Sequence, residues 1–435
     1  MNPLALELNE KINSVNPLVF EMLSELGKRI YFPSKGILSQ SAEAKKLATK
    51  YNASIGTALE SGEAMYLSSV MEQVSGFSPD DALLYAPSPG LPELRELWRQ
   101  KNLHDNPDLQ GVPCSLPVVC NGLSGALSVA ADLFINPGDT VLLPDMNWDN
   151  YLLNFEDRCS AKLQYCNFFA GQGLDLPAFR AALEVHNPGS KLLVILNFPN
   201  NPSGYTATES EGCALAQALL DTAERGVKVI ALVDDAYYSL FFDQEAMQQS
   251  IFSKLAGKHP NLLALKADAA TKEVYVWGLR VGFLTFSIGG ADANSPLYSA
   301  LETKAAGIIR STISNCSILS QKIICQALRN PEFYAQRSEK ASLMRRRALK
   351  VREVLAKHNE YAEHFVAYPF NSGYFMCLRL SKVDSETLRK RLLSQYGVGT
   401  IAITTTNLRI AFSCLEEGEI EDLFALIYQA CCDLA

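Results

Sequence analysis

The stretch 227-VKVIALVDDAYYSL-240 decides the fold class of this chain. The run from Val227 to Val233 is apolar except for Lys228, and polar residues do not alternate along it. Such a run is typical of a parallel β-strand that is buried on both faces. It ends in Asp234, and a carboxylate at the end of a buried strand needs a partner or solvent. The stretch therefore predicts a buried strand with a polar site at its carboxyl end.

Similar apolar runs lie on both sides of this stretch and alternate with helical patterns. The other predicted strands are residues 116–120, 139–144, 162–168, 191–198, 261–268 and 281–288. Residues 124–135 and 209–226 have helical spacing, and Gly226 is predicted to cap the second helix. The alternation predicts an α/β fold, with a mostly parallel seven-stranded sheet covered by helices.

The two flanks of this region predict a second, smaller α+β domain. Residues 1–75 are mixed in character, whereas the chain from 326 onward is rich in helix formers and charge, with strand candidates near its end. We expect residues 1–75 and 326–435 to build the small domain together, and residues 76–325 to form the large domain.

Composition limits the class of function. The chain has 435 residues and a formal net charge of −8, and it lacks the basic cluster that a nucleic-acid partner needs. No signal peptide or apolar stretch of about 18 residues is visible, so we expect a cytoplasmic protein without a membrane span. Its five histidines form no metal-binding pattern, so no metal site is predicted.

In open α/β sheets ligands bind where strands lead into helices, so the residues after each strand are the candidates. After the first strand, 121-NGLSGAL-127 is either a phosphate-binding turn or a plain tight turn. The same turn comes close to a hydrolase nucleophile motif around Ser124, but the final glycine of that motif is missing. The residues alone leave these alternatives open.

The later strands are followed by Trp148, Asn201, Asp234 and Lys272, each of which has an ordinary structural explanation when taken singly. Loop packing, a turn, a helix cap and a surface charge would explain them. In the functional interpretation, a desolvated Lys272 is a nucleophilic amine, and Asp234 pairs with a cationic heterocycle. Arg280, eight positions after Lys272, offers a planar fork of donors to a phosphate or carboxylate.

Taken together, the motifs resemble those of the class I pyridoxal-phosphate aminotransferases, which have the aspartate aminotransferase fold. The resemblance rests on N-P-S-G, D-x-A-Y, and T-K followed by G-L-R-V-G, with Asn201, Asp234, Lys272 and Arg280 separated by 33, 38 and 8 positions. It extends from about residue 52 to residue 409 and is strongest between 116 and 290.

The resemblance implies a role for each matching residue around pyridoxal 5'-phosphate. Lys272 corresponds to the lysine that binds the cofactor as a Schiff base and then moves the substrate proton. Asp234 corresponds to the carboxylate that keeps the ring nitrogen protonated, which makes the ring an electron sink. Tyr237 and Asn201 correspond to the pair that binds the phenolic oxygen, and Trp148 to the aromatic side chain stacked on the ring. Asn201 and Trp148 are also expected to contact substrate.

For the cofactor phosphate, the resemblance points to Gly122, Leu123, Ser124 and Arg280. Tyr85 corresponds to a tyrosine that reaches the phosphate of the neighbouring subunit. The resemblance therefore implies a homodimer with shared active sites.

Substrate recognition is expected from both subunits. Arg409 corresponds to the arginine that binds the α-carboxylate of the substrate, and Ile55 and Gly56 lie in the segment that closes over it. Arg310 corresponds to an arginine that is donated across the dimer and recognises a distal carboxylate. A dicarboxylic or aromatic amino acid is therefore the expected substrate.

The chain departs from the family pattern at Ala269, where a serine often binds the phosphate; Thr271 is the candidate replacement. Leu123 also replaces a small residue of the phosphate loop. The expected activity is amino-group transfer between an L-amino acid and a 2-oxo acid by a ping-pong mechanism, in amino-acid metabolism. The alternative on the same fold is a β-elimination lyase or synthase, since the same carbanion can expel a β-substituent.

Overall fold

The computed structural model describes residues 1–31 and 36–434 of the chain. In chain order, its α-helices are α1 (Pro3–Val15), α2 (Pro17–Met22), α3 (Glu25–Arg29), α4 (Ile37–Leu47), α5 (Ser68–Met71), α6 (Pro79–Leu83), α7 (Pro92–Asp105), α8 (Gly122–Phe134), α9 (Leu176–Glu184), α10 (Glu209–Glu224), α11 (Phe252–Leu255), α12 (Ala270–Glu273), α13 (Pro296–Thr312), α14 (Ile318–Arg329), α15 (Phe333–Lys357), α16 (Ser385–Tyr396) and α17 (Ile420–Cys432). A π-helical segment spans Leu152–Arg158.

The strands are β1 (Tyr51–Asn52), β2 (Leu59–Glu60), β3 (Glu63–Ala64), β4 (Val118–Asn121), β5 (Thr140–Pro144), β6 (Lys162–Cys166), β7 (Phe169–Ala170), β8 (Gly173–Leu174), β9 (Lys191–Asn197), β10 (Lys228–Asp234), β11 (Leu262–Ala269), β12 (Val281–Ile288), β13 (Phe365–Ala367), β14 (Phe375–Leu380), β15 (Val398–Gly399), β16 (Ile401–Ala402) and β17 (Asn407–Ala411).

Within the described chain, the large sheet has seven strands in the order β4-β12-β11-β10-β9-β5-β6. The neighbours β11, β10, β9, β5 and β6 pair in parallel, whereas β12 runs antiparallel to both β11 and β4. The sequence predictions of an α/β fold and a mostly parallel seven-stranded sheet are confirmed. The apolar run that opened the sequence analysis is β10, which is buried from Val229 to Asp234.

Helix α10 shows how local sequence sets the connections of this sheet. Thr208 and Glu211 form a capping box that pairs the free amide groups at its start. The helix ends one position earlier than predicted, with Arg225 as the C-cap and Gly226 next to it at φ +89°. A position with positive φ after the cap favours glycine because glycine has no Cβ.

A second sheet of the described chain has the order β13-β14-β17-β16, and each neighbouring pair in it runs antiparallel. In sequence, helix α16 follows β14 and helix α17 follows β17. Strand β1 pairs in parallel with β15. Residues near position 51 therefore lie against residues near position 398, which brings the two flanks of the chain together. Helix α3 lies near the π-helical segment, where Nε of Arg29 donates to the carbonyl of Asp157. The domain limits at 75 and 325 stay a prediction.

Among the described helices, none combines the length and apolar character that crossing a membrane requires.

Candidate active site

A pocket of 200 Å³ lies at the carboxyl ends of β9, β10 and β11. This is the edge at which open α/β sheets bind ligands. The residues predicted from the sequence that line it are Gly56, Leu123, Trp148, Asn201, Asp234, Tyr237, Lys272, Arg280 and Arg409. The fold thus brings together side chains that are hundreds of positions apart in sequence.

Lys272 lies on α12, the single turn that follows β11, and its side chain is half-buried. Burial lowers the pKa of its amine to about 8, while the nearby Asp234 carboxylate acts in the opposite direction. The Nζ atom lies 4.4 Å from the centroid of the Tyr237 ring. With this pKa, about a tenth of the amine is neutral at pH 7, far more than for an ordinary lysine, and the neutral amine is the form that attacks a carbonyl.

Asp234 is fully buried at the end of β10 and has two hydrogen-bond donors. The hydroxyl of Tyr151 donates to Oδ2 at 2.6 Å, and the amide of Ala236 donates to Oδ1 at 3.0 Å. Burial raises the pKa of Asp234 to about 6, while the bonds from Tyr151 and Ala236 lower it. The group is therefore an anion at neutral pH that would pair strongly with a cation placed in the pocket.

Tyr237 and Asn201 stand at the same end of the pocket, although they reach it from different loops. Asn197, the last residue of β9, fixes the Asn201 loop, since its Oδ1 accepts from the amide of Asn201 at 2.8 Å. Its Nδ2 donates to the carbonyl of Asp234 at 3.0 Å. Burial raises the pKa of the Tyr237 phenol, and Arg409 opposes that rise, so the phenol stays a neutral hydrogen-bond donor.

Gly122 and Arg280 form a close-packed cradle beside α8. Gly122 begins α8 at φ +69°, and its amide donates to the carbonyl of Arg280 at 3.0 Å. A Cβ at position 122 would lie 2.4 Å from Nη2 of Arg280. The cap residue Asn121 offers no side-chain bond to the start of α8. Free helix amides next to a guanidinium form an anion site of the kind that holds phosphate.

Thr271 adds an unpaired hydroxyl to this pocket. Its Oγ1 is buried and has no hydrogen-bond partner among the described residues, although the residue itself lines the pocket. Ala269 instead ends β11, is 1% exposed, and is paired with Gly282 of β12. An unpaired buried hydroxyl is unfavourable unless a ligand or water completes it. The Thr271 hydroxyl is thus a free donor where a bound group would meet it.

Arg409 enters the pocket from β17 and lies next to Asn201. Its Nη1 donates to Oδ1 of Asn201 at 2.9 Å, and its Nη2 donates to the carbonyl of Ser54 at 3.1 Å. The guanidinium carbon lies 4.1 Å from the centre of the Phe375 ring. In the described chain, Nε of Arg409 is buried without a partner. A buried guanidinium with no carboxylate partner of its own is suited to bind the carboxylate of a ligand.

Five of the predicted site residues are not among those that line the pocket. Tyr85 is 88% exposed, and Arg310 is exposed with Nη1 donating to Oγ of Ser314 at 2.6 Å. Gly122 packs against Arg280, which does line the pocket. Ser124 is half-buried in the first turn of α8. Ile55 is half-buried, and its carbonyl accepts from the Cys414 thiol at 3.4 Å.

Several pocket residues were not predicted from the sequence. These are Ile37, Tyr151, Asn197, Ala236, Trp277 and Phe375. Tyr151 falls in the loop that carries Trp148, and their rings meet edge-on at 5.8 Å. The W-x-x-Y spacing was visible, but nothing local indicated that Tyr151 bonds to Asp234. Ile37 begins α4, and no motif marked it.

Comparison with known proteins gives a family match. The model of the family described as "Aminotransferase class I and II" matches residues 54–427. Among curated proteins, a probable aspartate/prephenate aminotransferase of Aquifex aeolicus is 26% identical over 257 residues, which cover 57% of each chain. The cytoplasmic aspartate aminotransferase of Saccharomyces cerevisiae is 27% identical over 54% of this chain and 56% of its own. These alignments therefore span little more than half of either relative.

A longer alignment joins the chain to the aspartate/prephenate aminotransferase of Cereibacter sphaeroides, with 28% identity over 77% of this chain and 80% of that protein. Among solved structures, an aminotransferase from Anaerococcus prevotii superposes with a TM-score of 0.80 at 21% identity, covering 94% of this chain and 98% of its own. At that identity the structural similarity shows the fold.

Proposed function

Because the chain belongs to the class I and II aminotransferase family, whose model matches residues 54–427, we propose that it is a pyridoxal-phosphate-dependent aminotransferase. It moves an amino group between an L-amino acid and a 2-oxo acid in a ping-pong reaction. The observation that carries the proposal is that one pocket is lined both by Lys272, whose pKa is lowered to about 8, and by the buried anion Asp234.

The residues of the pocket fit pyridoxal phosphate at each of its polar groups. The cradle of Gly122 and Arg280 excludes a Cβ and offers donors to a phosphate. The unpaired Thr271 hydroxyl supplies a further donor, which the side chain of Ala269 cannot provide. Asp234 matches a protonated ring nitrogen in charge, and Trp148 offers a flat ring face.

When bound, pyridoxal phosphate supplies an aldehyde carbon for bonding to amines and a ring that accepts electrons from Cα of the substrate. Nζ of Lys272 would hold the cofactor covalently and, once released, would take the proton from Cα of the substrate. Asp234 would keep the ring nitrogen protonated, with the Tyr151 hydroxyl favouring its ionised form. Tyr237 and Asn201 would donate to the phenolic oxygen.

Arg409 binds the α-carboxylate of the substrate in this proposal. Its guanidinium is already oriented by Asn201 and Ser54, so little side-chain freedom is lost when a carboxylate arrives. Gly56 lines the same side, next to Ile55. The segment around these two residues covers the substrate.

The proposed active form is a homodimer with shared sites. Tyr85 and Arg310 are exposed in the single chain. Both would enter the partner's pocket, Tyr85 at the phosphate and Arg310 at the distal group of the substrate. A guanidinium at that position favours a dicarboxylic amino acid, with an aromatic one as a second substrate. The names of the relatives, which include aspartate and prephenate, support this substrate class.

The covalent assignment is tested by trapping. Purified protein is incubated with pyridoxal phosphate, reduced with borohydride and digested, and the labelled peptide is identified by mass spectrometry. The label is expected on Lys272 and is expected to be lost in Lys272→Ala. Lys228→Ala, which removes an exposed lysine of the same sheet, is the control and should be labelled like the wild type. Unchanged labelling of Lys272→Ala would refute the assignment.

The reaction type is tested with an amino acid and no acceptor. Transfer gives one equivalent of 2-oxo acid per active site and then stops until a second oxo acid is added. Elimination instead releases pyruvate and ammonia continuously from a substrate with a β-leaving group. Continuous release without an acceptor would replace the aminotransferase proposal with the lyase alternative.

A further inference from the structure

Two buried acids lie directly behind the pocket, and the reaction proposed above uses neither of them. Asp235 follows Asp234, and Glu273 follows Lys272. Each acid is 1% exposed. Asp234 lines the pocket, whereas Asp235 is not among the lining residues and contacts Lys266 and Ser250 instead. Asp234 and Lys272 are thus each followed directly by a buried acid.

Asp235 is held by a lysine from the middle of β11. Nζ of Lys266 lies 2.8 Å from Oδ2 of Asp235 and 2.7 Å from Oδ2 of Asp268. The hydroxyl of Ser250 donates to the same Asp235 oxygen at 2.6 Å. These contacts fix the side chain of Asp235, and through its backbone they restrain the end of β10 that carries Asp234.

Glu273 is held by cations from two other elements. Nζ of Lys101 on α7 donates to Oε2 of Glu273 and lies 3.2 Å from Oδ2 of Asp105. Arg337 on α15 binds Asp105 through two hydrogen bonds of 2.8 and 2.7 Å. Nη1 of Arg337 also lies 3.6 Å from Oε2 of Glu273. The turn α12, which carries Lys272, is therefore connected to both α7 and α15.

Trp98 contacts both sets of charges, the one around Asp235 and the one around Glu273. Its Nε1 donates to Oδ2 of Asp268 at 2.9 Å, and its ring centre lies 4.5 Å from Nζ of Lys101. Trp98 and Lys101 are neighbours on α7, three positions apart. The buried charge cluster comprises Lys101, Asp105, Asp235, Lys266, Asp268, Glu273 and Arg337.

Stability does not account for such a cluster. Ion pairs inside a protein lose their hydration, and replacing them with well-packed apolar side chains is often neutral or stabilising. Buried charges do require specific partners at specific distances, so they restrict the arrangement of the elements that carry them. This restriction matters most for α12, because a single four-residue turn forms few backbone hydrogen bonds within itself.

We propose that the buried charge cluster positions Lys272 and Asp234, with Glu273 and Asp235 as the positioning residues. This inference rests on the proposed function, since it concerns how the two reacting groups are held at a fixed separation. Tyr374 completes the restraint from the other side, where its hydroxyl donates to the carbonyl of Lys272 at 3.1 Å. Small displacements of a reacting group lower rates strongly, by up to about 100-fold for about 1 Å.

The test replaces the Lys101–Glu273 pair with apolar side chains in the double variant Lys101→Met/Glu273→Leu. The matched control is Arg95→Met/Glu302→Leu, which removes another ion pair of α7, formed by the buried Arg95 and the half-buried Glu302. Nη2 of Arg95 lies 2.6 Å from Oε2 of Glu302, and the pair does not include a residue of β10 or α12. Both double variants are compared with the wild type in melting temperature, steady-state kinetics and cofactor capture.

In the Lys101→Met/Glu273→Leu holoenzyme, kcat is expected to fall on the order of 10-fold or more with little change in KM. In its cofactor-free form, the rate at which Lys272 captures pyridoxal phosphate, followed by absorbance, is expected to fall as well. The melting temperature should stay near that of the wild type. The control variant should keep the wild-type kcat and capture rate, whatever its melting temperature.

A stable Lys101→Met/Glu273→Leu variant with wild-type kcat and capture rate would overturn the inference. If that variant does not fold, Glu273→Gln takes its place, because it keeps the side-chain shape and removes the charge. The same two rates are measured, and wild-type values in Glu273→Gln would also overturn it. Failure of the proposed function is separate: a wild-type protein that traps no cofactor on Lys272 would refute that proposal before any variant is compared.

Discussion

The hydroxyl of Tyr151 lies 2.6 Å from Oδ2 of Asp234 and donates a hydrogen bond to it, and both residues are 1% exposed. Burial alone would favour the protonated acid, whose pKa is raised to about 6. The phenol opposes this effect because it stabilises the anion. The charge of Asp234 near neutral pH therefore depends on a side chain from the loop that carries Trp148.

Tyr151→Phe is expected to raise the pKa of Asp234 further and move the acid limb of the pH profile of kcat/KM upward. A hydrogen bond to a charged group contributes about 1.5 to 3 kcal/mol, which corresponds to a displacement of about one pH unit or more. Activity at high pH should change less than activity near pH 6, because at high pH Asp234 is ionised in both proteins.

The control for this prediction is Tyr205→Phe. Tyr205 is also buried, and its hydroxyl donates to Oε2 of Glu211 at 2.9 Å, outside the pocket. Its loss should leave the acid limb where it is in the wild type. An acid limb that is the same in Tyr151→Phe and the wild type would show that Tyr151 does not set the ionisation of Asp234.

Asp234→Asn is expected to stabilise the cofactor-free protein at neutral pH. The folded-state pKa of about 6 lies above the ordinary value of 3.8, so the ionised form destabilises the fold. The penalty is absent below about pH 4, grows as the pH rises, and is complete above about 6; the difference in pKa corresponds to at most about 3 kcal/mol. Urea unfolding across this pH range measures it, with Asp80→Asn on the surface as the control. A gain that is equal at all pH values would contradict this origin.

The sequence was sufficient to predict the large sheet because its strands are nearly continuous apolar runs. Such runs can be recognised without knowledge of tertiary contacts. Every large-sheet strand was predicted within about two residues. Short motifs next to these strands also pointed to Asp234, Lys272 and Arg280, which line one pocket. The bond from Tyr151 to Asp234 joins residues 83 positions apart, and the bond from Lys101 to Glu273 spans 172. Such pairs depend on how loops and helices pack, and their side chains carry no local signal.

Gly122→Ala is expected to weaken binding of pyridoxal phosphate by about 10-fold or more. The new Cβ would lie 2.4 Å from Nη2 of Arg280, so the guanidinium must move out of the phosphate cradle. The positive φ of Gly122 adds backbone strain of about 1 kcal/mol or more. Equilibrium titration of the cofactor-free protein measures the change.

Gly138→Ala separates the clash in Gly122→Ala from the strain. Gly138 has a positive φ of +86°, but a Cβ there would meet nothing within 4 Å. It should lower stability without changing cofactor affinity. Equal losses of cofactor affinity in the two variants would mean that the cradle geometry is not the cause.

The capture of pyridoxal phosphate by the cofactor-free protein is expected to accelerate with pH through about 8, the pKa of Lys272, as the amine becomes neutral. The Asp234 carboxylate raises that pKa against the effect of burial. Asp234→Asn should therefore move the rise in rate to lower pH. Stopped-flow absorbance gives both curves, and a midpoint that stays near the ordinary lysine value would contradict the lowered pKa.

Hybrid dimers test whether Arg310 acts across the subunit interface. Arg310 is exposed in the single chain, whereas Lys272 lies inside the pocket. Arg310→Ala alone is expected to lower kcat/KM for dicarboxylic amino acids by about 100-fold, and for aromatic ones by much less, because a charge-assisted carboxylate contact is lost.

When Arg310→Ala and Lys272→Ala subunits are mixed equally and allowed to exchange, a hybrid contains one site with both changes and one intact site. About a quarter of the wild-type dicarboxylate turnover should then return, since half of randomly formed dimers are hybrids. If Arg310 served the pocket of its own subunit, no intact site would form and the mixture would stay as inactive as its parents.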